Sequence, residues 1–244
     1  MMEKLCDDYQ KRCLDLEENL KEIRDRISGA AVRSGRNPEE VMLLAATKTV
    51  PVEVINHAIS LGVAHIGENK VQELCDKYEH LQECDCQFIG HLQTNKVKFL
   101  IDKVSMIQSV GSLKLAQEIS RLSEKQNKVM DILIEVNIGK EESKSGILPE
   151  EVFQFMEQIS PLTGIHVRGL MSIPPICDSK TQVMGYFTNM YQYFIDIRGK
   201  KIDNIDMDYL SMGMSSDFEE AILCGANIVR VGTSLFGPRL YSKK

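Results

Sequence analysis

Eight short apolar runs alternate with helical patterns between residues 41 and 232, and this alternation restricts the chain to a parallel-sheet α/β fold. The runs read as strands over 41–47, 64–67, 86–91, 105–109, 130–137, 166–172, 207–212 and 228–232. Helical spacing fills 51–61, 70–79, 94–101, 112–125, 149–159, 179–197 and 218–224, as in Val183, Phe187, Met190 and Phe194. Met130 to Val136 is almost continuously apolar, the pattern of a strand covered on both faces. No linker, low-complexity stretch or internal repeat interrupts the series. The 244 residues therefore predict a single domain, a (β/α)8 TIM barrel over about 41–237. A doubly wound sheet is the alternative arrangement of the same elements.

Ahead of the barrel, residues 3–28 carry a clear helical stripe of Leu5, Tyr9, Cys13, Leu16, Leu20, Ile23 and Ile27, with charged residues between them. This predicts an additional N-terminal helix packed on the barrel, with a coiled-coil partner surface as the alternative. Gly29, Gly35, Asn37 and Pro38 break the periodicity, and Pro38 suits a helix start. The final SKK reads as a short solvated tail.

Composition narrows the function classes. The 29 basic and 35 acidic residues are dispersed and leave a formal charge of −6, which gives no support for nonspecific nucleic-acid binding. No apolar stretch approaches the roughly 20 residues needed to cross a bilayer, and the opening MMEKLCDDYQKRC lacks the apolar core of a signal peptide. Seven cysteines, an odd count without a CxxC pair, point to a reducing cytoplasm. Cys84 and Cys86 with His80 nearby invite a metal reading, but no second pair completes a closed zinc site. Free thiols and no metal are expected.

In a barrel of this kind, functional residues collect at the C-terminal ends of the strands. The run VMLLAATK puts Lys48 there, on the strand face shared by Met42, Leu44 and Ala46. An amine near apolar surroundings is a better nucleophile toward an aldehyde, whereas most lysines at a strand end are simply solvated. The last strand supplies Arg230, Gly232 and Thr233, followed by an FGPR turn at 236–239. Arg230 shares a parity with Ile228 and Gly232 and is directed inward, where an unpaired guanidinium is costly. Gly232 lets the backbone approach a ligand, and Thr233 offers an N–H and a hydroxyl. Ser211 and Ser215 add hydroxyls from the seventh strand end, and Asp217 is placed to cap the following helix. Loops after strands seven and eight recurrently bind phosphate in this fold; tight turns are the ordinary alternative. Together these ends suit a phosphorylated aldehyde, with pyridoxal phosphate as the candidate.

Other polar strand ends are Glu68 and Asn69, then His91, Gln93 and Asn95, then Asn137, and finally Met171 and Ser172. His91 is a candidate general base or an ordinary hydrogen-bonded histidine. Nothing fixes the separation of Glu68 and Glu135 as a glycosidase pair would require. GKEESKSG, at 139–146, matches neither a Walker loop nor a dinucleotide fingerprint, and reads as a mobile rim loop whose two lysines meet an incoming phosphate.

AATKT, HIGENKVQE, FIGHLQTNK, EVNIGKEESKSG, GLMSIPP, YLSMGMSSDFEEAI and VRVGTSLFG, in this order, resemble the YggS/PROSC family of pyridoxal phosphate homeostasis proteins over residues 41–237. The resemblance implies a barrel related to the N-terminal domain of alanine racemase, with pyridoxal 5'-phosphate held as a reversible Schiff base. It makes Lys48 the covalent lysine, and Gly232 and Thr233 the phosphate-binding positions. Ser211 matches the serine of SMGMS, and Ser215 lies near enough to share the anion site. Arg230 is the arginine facing the pyridine nitrogen, while Asn69 and Met171 line the ring's surroundings. None of these positions departs from the family pattern.

An arginine at the ring nitrogen disfavours its protonation, and the neutral ring is a weaker electron sink. Racemases share that arrangement but add a second domain and a partner tyrosine, for which no residues remain here. The resemblance thus implies a non-catalytic cytoplasmic protein that buffers or carries the cofactor, with apo pyridoxal-phosphate enzymes as recipients and a monomeric state. A weak racemase or related enzyme is the alternative and needs a second proton-transfer group, for which His91 and Tyr209 are the candidates. A barrel that only presents a protein-binding surface is the third reading.

Overall fold

The computed structural model describes residues 2–238, with side chains from Gln10 onward. The side chains of Leu5, Cys6 and Tyr9, and the tail at 242–244, lie outside that range. Eight parallel strands close into a barrel in chain order: β1 (Met42–Ala46), β2 (His65–Glu68), β3 (Asp85–Phe88), β4 (Met106–Val110), β5 (Met130–Val136), β6 (Ile165–Ser172), β7 (Ile205–Ser211) and β8 (Ile228–Val231). Closure is made by β1 beside β8, in a register that sets Leu44 opposite Arg230. This decides against a doubly wound sheet, which keeps two open edges.

The helices are α1 (Met2–Arg33), α2 (Val52–Ser60), α3 (Val71–Tyr78), α4 (Leu113–Lys125), α5 (Val152–Ile159), α6 (Lys180–Lys200), α7 (Phe218–Leu223) and α8 (Thr233–Phe236). Short 3-10 turns occupy Pro38–Glu40, Thr94–Phe99 and Pro149–Glu151. α1 runs five residues beyond its predicted end. Gly29 lies inside the helix, and the roughly 1 kcal/mol it costs there is offset because Ala30 and Ala31 behind it are fully buried. Ser34 stops the helix by donating its hydroxyl to Ala31 O at 2.8 Å. The stripe of Leu16, Leu20, Ile23 and Ile27 is buried, and α1 packs across α2, α7 and α8 rather than offering a coiled-coil seam.

Two cores result. The large one lies between sheet and helices, where Ala45, Ile66, Phe88, Ile107, Ile134, Leu170 and Val229 meet the helical stripes. Inside the barrel the described residues form two small apolar islands, Leu44, Ile89 and Ile228 on one side and Met106, Leu133 and Met171 on the other. β3 ends three residues before the predicted boundary. A Cβ on Gly90 would stand 2.0 Å from Asn69 O, so the chain passes under β2's end there and Ile89 turns into the barrel. Among the described residues, no helix is long and apolar enough to cross a membrane.

Candidate functional site

β1 delivers Lys48 into a tight turn in which Val50 N donates to Thr47 O at 3.0 Å. Thr49 adopts a left-handed φ of 64°, a conformation that costs a non-glycine residue of order 1–3 kcal/mol and persists only when its surroundings hold it. The hold is a network behind the turn that is buried at Thr47, Glu68 and Lys77. Thr49 N donates to Glu73 Oε1 at 2.5 Å, and Lys77 Nζ donates to Thr47 O at 2.9 Å, Glu68 Oε2 at 2.9 Å and Glu73 Oε1 at 2.7 Å. Thr47 Oγ1 also donates to Glu68 Oε2 at 3.1 Å, and Asn69 N to Glu68 Oε1 at 2.9 Å. Glu68 is thus a scaffold for the lysine turn and for Asn69. Lys77 was not singled out in the sequence, where its only signal is the (i, i+4) spacing from Glu73.

Across the β1–β8 seam, Arg230 is 4% exposed. Its Nη1 donates to Ser211 Oγ at 2.6 Å and its Nη2 to Ser172 O at 2.9 Å. Burial lowers its guanidinium to about 10, against the opposing pull of Asp217 and Glu135. Ser215 Oγ accepts from Gly232 N at 3.3 Å and from Ser234 N at 3.2 Å, which gathers hydroxyl and amides at the ends of β7 and β8. A Cβ on Gly232 would come within 3.3 Å of Ala46 O, so a larger residue would press the ends of β8 and β1 apart by a few tenths of an ångström.

Lys48, Asn69, Ser215, Arg230, Gly232 and Thr233 line one cleft of about 280 Å³ at the C-terminal mouth. Ser211 and Met171 are not among its lining residues. Ser211 pairs with Ile228, two residues before Arg230, and its fully buried hydroxyl supports the guanidinium from below. Met171 packs into the inner island with Met106 and Leu133. Arg12 of α1, Ile89, Ile173 and Phe236 join the lining without having been marked in the sequence. Arg12 carried no local signal, because only the packing of α1 brings it to the mouth.

Several sequence expectations need correction. Asp217 does not cap α7; its Oδ1 accepts from Met214 N at 2.6 Å and so ties the preceding turn. The lysines of 139–146 are held by carboxylates rather than presented to the cleft, Lys140 by Glu150 at 3.0 Å and Lys144 by Glu141 at 2.5 Å. His91 takes its ordinary hydrogen-bonded reading, with Nδ1 bonded to Ser145 Oγ at 2.8 Å, and Tyr209 lies beneath Arg168 at 5.3 Å from its ring centre; neither lines the cleft. Cys84 and Cys86 are free thiols as expected; Cys86 is buried in the outer core, and burial pushes both thiols upward, Cys84 to about 11.

Among the described lining residues the titratable side chains are Arg12, Lys48 and Arg230, all basic. One primary amine, two guanidinium groups and a hydroxyl–amide cradle suit an anion that carries an electrophilic carbon.

Residues 15–239 match the family described as alanine racemase, N-terminal domain. The chain is 45% identical over 226 residues to the pyridoxal phosphate homeostasis protein of Aquifex aeolicus, covering 92% of this chain and 98% of that one. The chain belongs to the pyridoxal phosphate homeostasis protein family. Its Escherichia coli relative of the same name is 38% identical over 235 residues, covering 94% and 99% of the two chains. PipY of Synechococcus elongatus, another family barrel, has been solved with PLP bound. It superposes with a TM-score of 0.77 at 30% identity, over 88% of this chain and 100% of that one.

Proposed function

We propose that this protein binds pyridoxal 5'-phosphate covalently and reversibly at Lys48 and serves the cell as a buffer or carrier of that cofactor, without catalysing a reaction of its own. The observation that carries the reading is the convergence of Lys48, Arg230 and the Ser215–Gly232–Thr233 cradle on one cleft with no carboxylate, imidazole, phenol or thiol among its described lining residues. Among the described residues the buried guanidinium of Arg230 has only neutral hydrogen-bond acceptors, which fits a ring nitrogen that stays unprotonated.

The cofactor supplies an electrophilic aldehyde carbon, and the chain's residues do the rest. Ser215, Gly232 and Thr233 hold the phosphate, with Arg12 at the rim. Lys48 would hold the cofactor through its Nζ, by a reversible carbon–nitrogen double bond to the aldehyde carbon whose formation releases one water. Release would take up one water and return the aldehyde, or would exchange Lys48 for an incoming amine with no water consumed; either route would leave Lys48 as the free amine. Ile89, Ile173 and Phe236 give the cleft an apolar lining beside these polar groups. A racemase or related enzyme needs a second proton-transfer group facing Lys48, and the engaged positions of His91 and Tyr209 support the carrier reading instead. Six free thiols among the described cysteines fit the reducing cytoplasm. The scattered large exposed side chains, such as Leu14, Phe99, Val129 and Ile176, fit a monomer. Apo pyridoxal-phosphate enzymes are the recipients under this reading.

The test is the absorbance and intact mass of purified protein before and after borohydride reduction, with Lys48→Ala alongside. The expected result is one reduced pyridoxal-phosphate adduct, mapped to Lys48 and missing at that site in the variant. Absence of any adduct with excess cofactor contradicts the proposal.

A further inference from the structure

Arg230 is one end of a hydrogen-bond chain that crosses the inside of the barrel. Its Nη1 donates to Ser211 Oγ at 2.6 Å, and Ser211 Oγ donates to Gln108 Oε1 at 2.7 Å. Gln108 Nε2 donates to Gln87 Oε1 at 2.6 Å, and Gln87 Nε2 donates to Asp85 Oδ2 at 2.6 Å. Asp85 in turn meets His65 Nδ1 at 2.8 Å at the opposite mouth. Gln87, Gln108 and Ser211 are at most 2% exposed. The path joins β3 and β4 to β7 and β8, arcs on opposite sides of the closed ring. It runs between the two inner apolar islands.

The polarity of this chain is determined by its ends. A guanidinium can only donate and a carboxylate can only accept. Gln87 must therefore turn its NH2 to Asp85 and its carbonyl to Gln108. Gln108 must repeat that orientation, and Ser211 must direct its proton to Gln108 and its lone pairs to Arg230. Every dipole then points the same way, from the buried cation to the carboxylate, and each bond polarises the next. Burial alone would raise the Asp85 carboxyl, but hydrogen bonds from His65, Ser105 and Gln87 outweigh it and hold the group below its ordinary value. A buried amide pair flanked by the two apolar islands costs more than an apolar pair would unless all its bonds are made.

We propose that Ser211, Gln108, Gln87 and Asp85 are a positioning relay that holds the Arg230 guanidinium in one orientation against the ring nitrogen of the bound cofactor. This rests on the assignment of the cleft to pyridoxal phosphate, and it gives Ser211 a role under the arginine instead of at the phosphate. The relay leaves Arg230 its cleft-facing edge for the ligand, because the other edge always meets an acceptor. None of the four relay residues lines the cleft.

The experiment compares four proteins loaded with pyridoxal phosphate: wild type, Gln108→Met, Asp85→Asn and Ile107→Val. Gln108→Met keeps the volume and removes both relay bonds, while Asp85→Asn keeps the shape and removes the terminal charge. Ile107 is fully buried but faces the helices, so its truncation lowers stability without touching the relay. The readouts are the absorbance band of the bound cofactor, its release rate into excess apoenzyme and the melting temperature. The expected result is an intact Lys48 adduct in all four, with a displaced band and roughly tenfold faster release in Gln108→Met, the upper size of losing a hydrogen bond between neutral groups. Asp85→Asn should move both in the same direction by less, and it decides alone if Gln108→Met does not fold. A Gln108→Met or Asp85→Asn protein that behaves like Ile107→Val, with a lower melting temperature but the wild-type band and release rate, overturns the relay. Wild type without an adduct overturns the cofactor assignment beneath it, a result visible before any variant is compared.

Discussion

The two mouths of the barrel treat their charges in opposite ways. At the N-terminal mouth, Arg168 meets Asp131 at 2.9 Å and Asp208 at 2.7 Å, and His166 meets Asp206 at 2.9 Å. At the C-terminal mouth, no ion pair among the described residues reaches Lys48 or Arg230, and the carboxylates Glu68 and Glu73 are engaged behind the cleft by Lys77. The two inward arginines record the difference. Burial pulls down on both, but the Asp208 hydrogen bond and Asp131 lift Arg168 above its ordinary value, whereas Arg230 stays lowered to about 10. Charges that serve the fold come with their counterions. Charges left without them at a strand-end cleft are the ones a ligand is to satisfy.

The largest effect should come from breaking the support behind the cleft. Lys77→Met leaves Glu68, 1% exposed, as an uncompensated buried carboxylate, and removal of one partner from such a pair costs about 3–5 kcal/mol. Chemical denaturation should show that loss, and the protein that remains folded should attach pyridoxal phosphate more slowly as the Thr49 turn relaxes. Unchanged stability would mean that Glu68 is held by Thr47 and Asn69 alone.

Next in size is Arg230→Gln, for which equilibrium dialysis should show retention of the cofactor falling about a hundredfold, near 2.7 kcal/mol. The matching change at the other mouth, Arg168→Leu, sharpens the contrast. It should lower stability by about 1 kcal/mol, because its partners are partly solvated, and leave retention at the wild-type level. Equal losses of retention from the two arginine variants would erase the distinction between the mouths.

Glu135→Gln should have the smallest effect. This carboxyl has a buried Oε2 without a hydrogen-bond partner, and burial raises it above its ordinary value although His91 and Arg230 pull it down. A raised carboxyl contributes stability that is fully present below its unfolded value of about 4.3 and is lost as pH rises through the folded value. The glutamine variant should therefore melt close to wild type near pH 4 and slightly higher near pH 8. A lower melting temperature at pH 8 would show that Glu135 works as a counterion of Arg230.

Much of this architecture was legible in the chain because strand parity and helix spacing are local. Leu44, Arg230 and Lys48 alternate onto the inner face as a period of two requires, and the stripe of α1 runs from Leu16 to Ile27 as spaced. Depth along the barrel was not legible. Parity puts Ser211, Tyr209 and Arg230 all inside, yet only Arg230 reaches the cleft, because height depends on the register between strands. The relay was hidden for the same reason: Asp85, Gln87 and Gln108 are ordinary polar residues until closure brings β4 across from β7. Arg12 likewise needs the docking of α1 before it acquires a place.

The most direct test of the account is a crystal structure of the protein grown with pyridoxal phosphate. The account predicts continuous density from Lys48 Nζ to the cofactor, the phosphate on Ser215, Gly232 and Thr233, and Arg230 against the ring nitrogen with its bond to Ser211 retained. Cofactor bound away from Lys48, or a ring nitrogen facing a carboxylate, would contradict it.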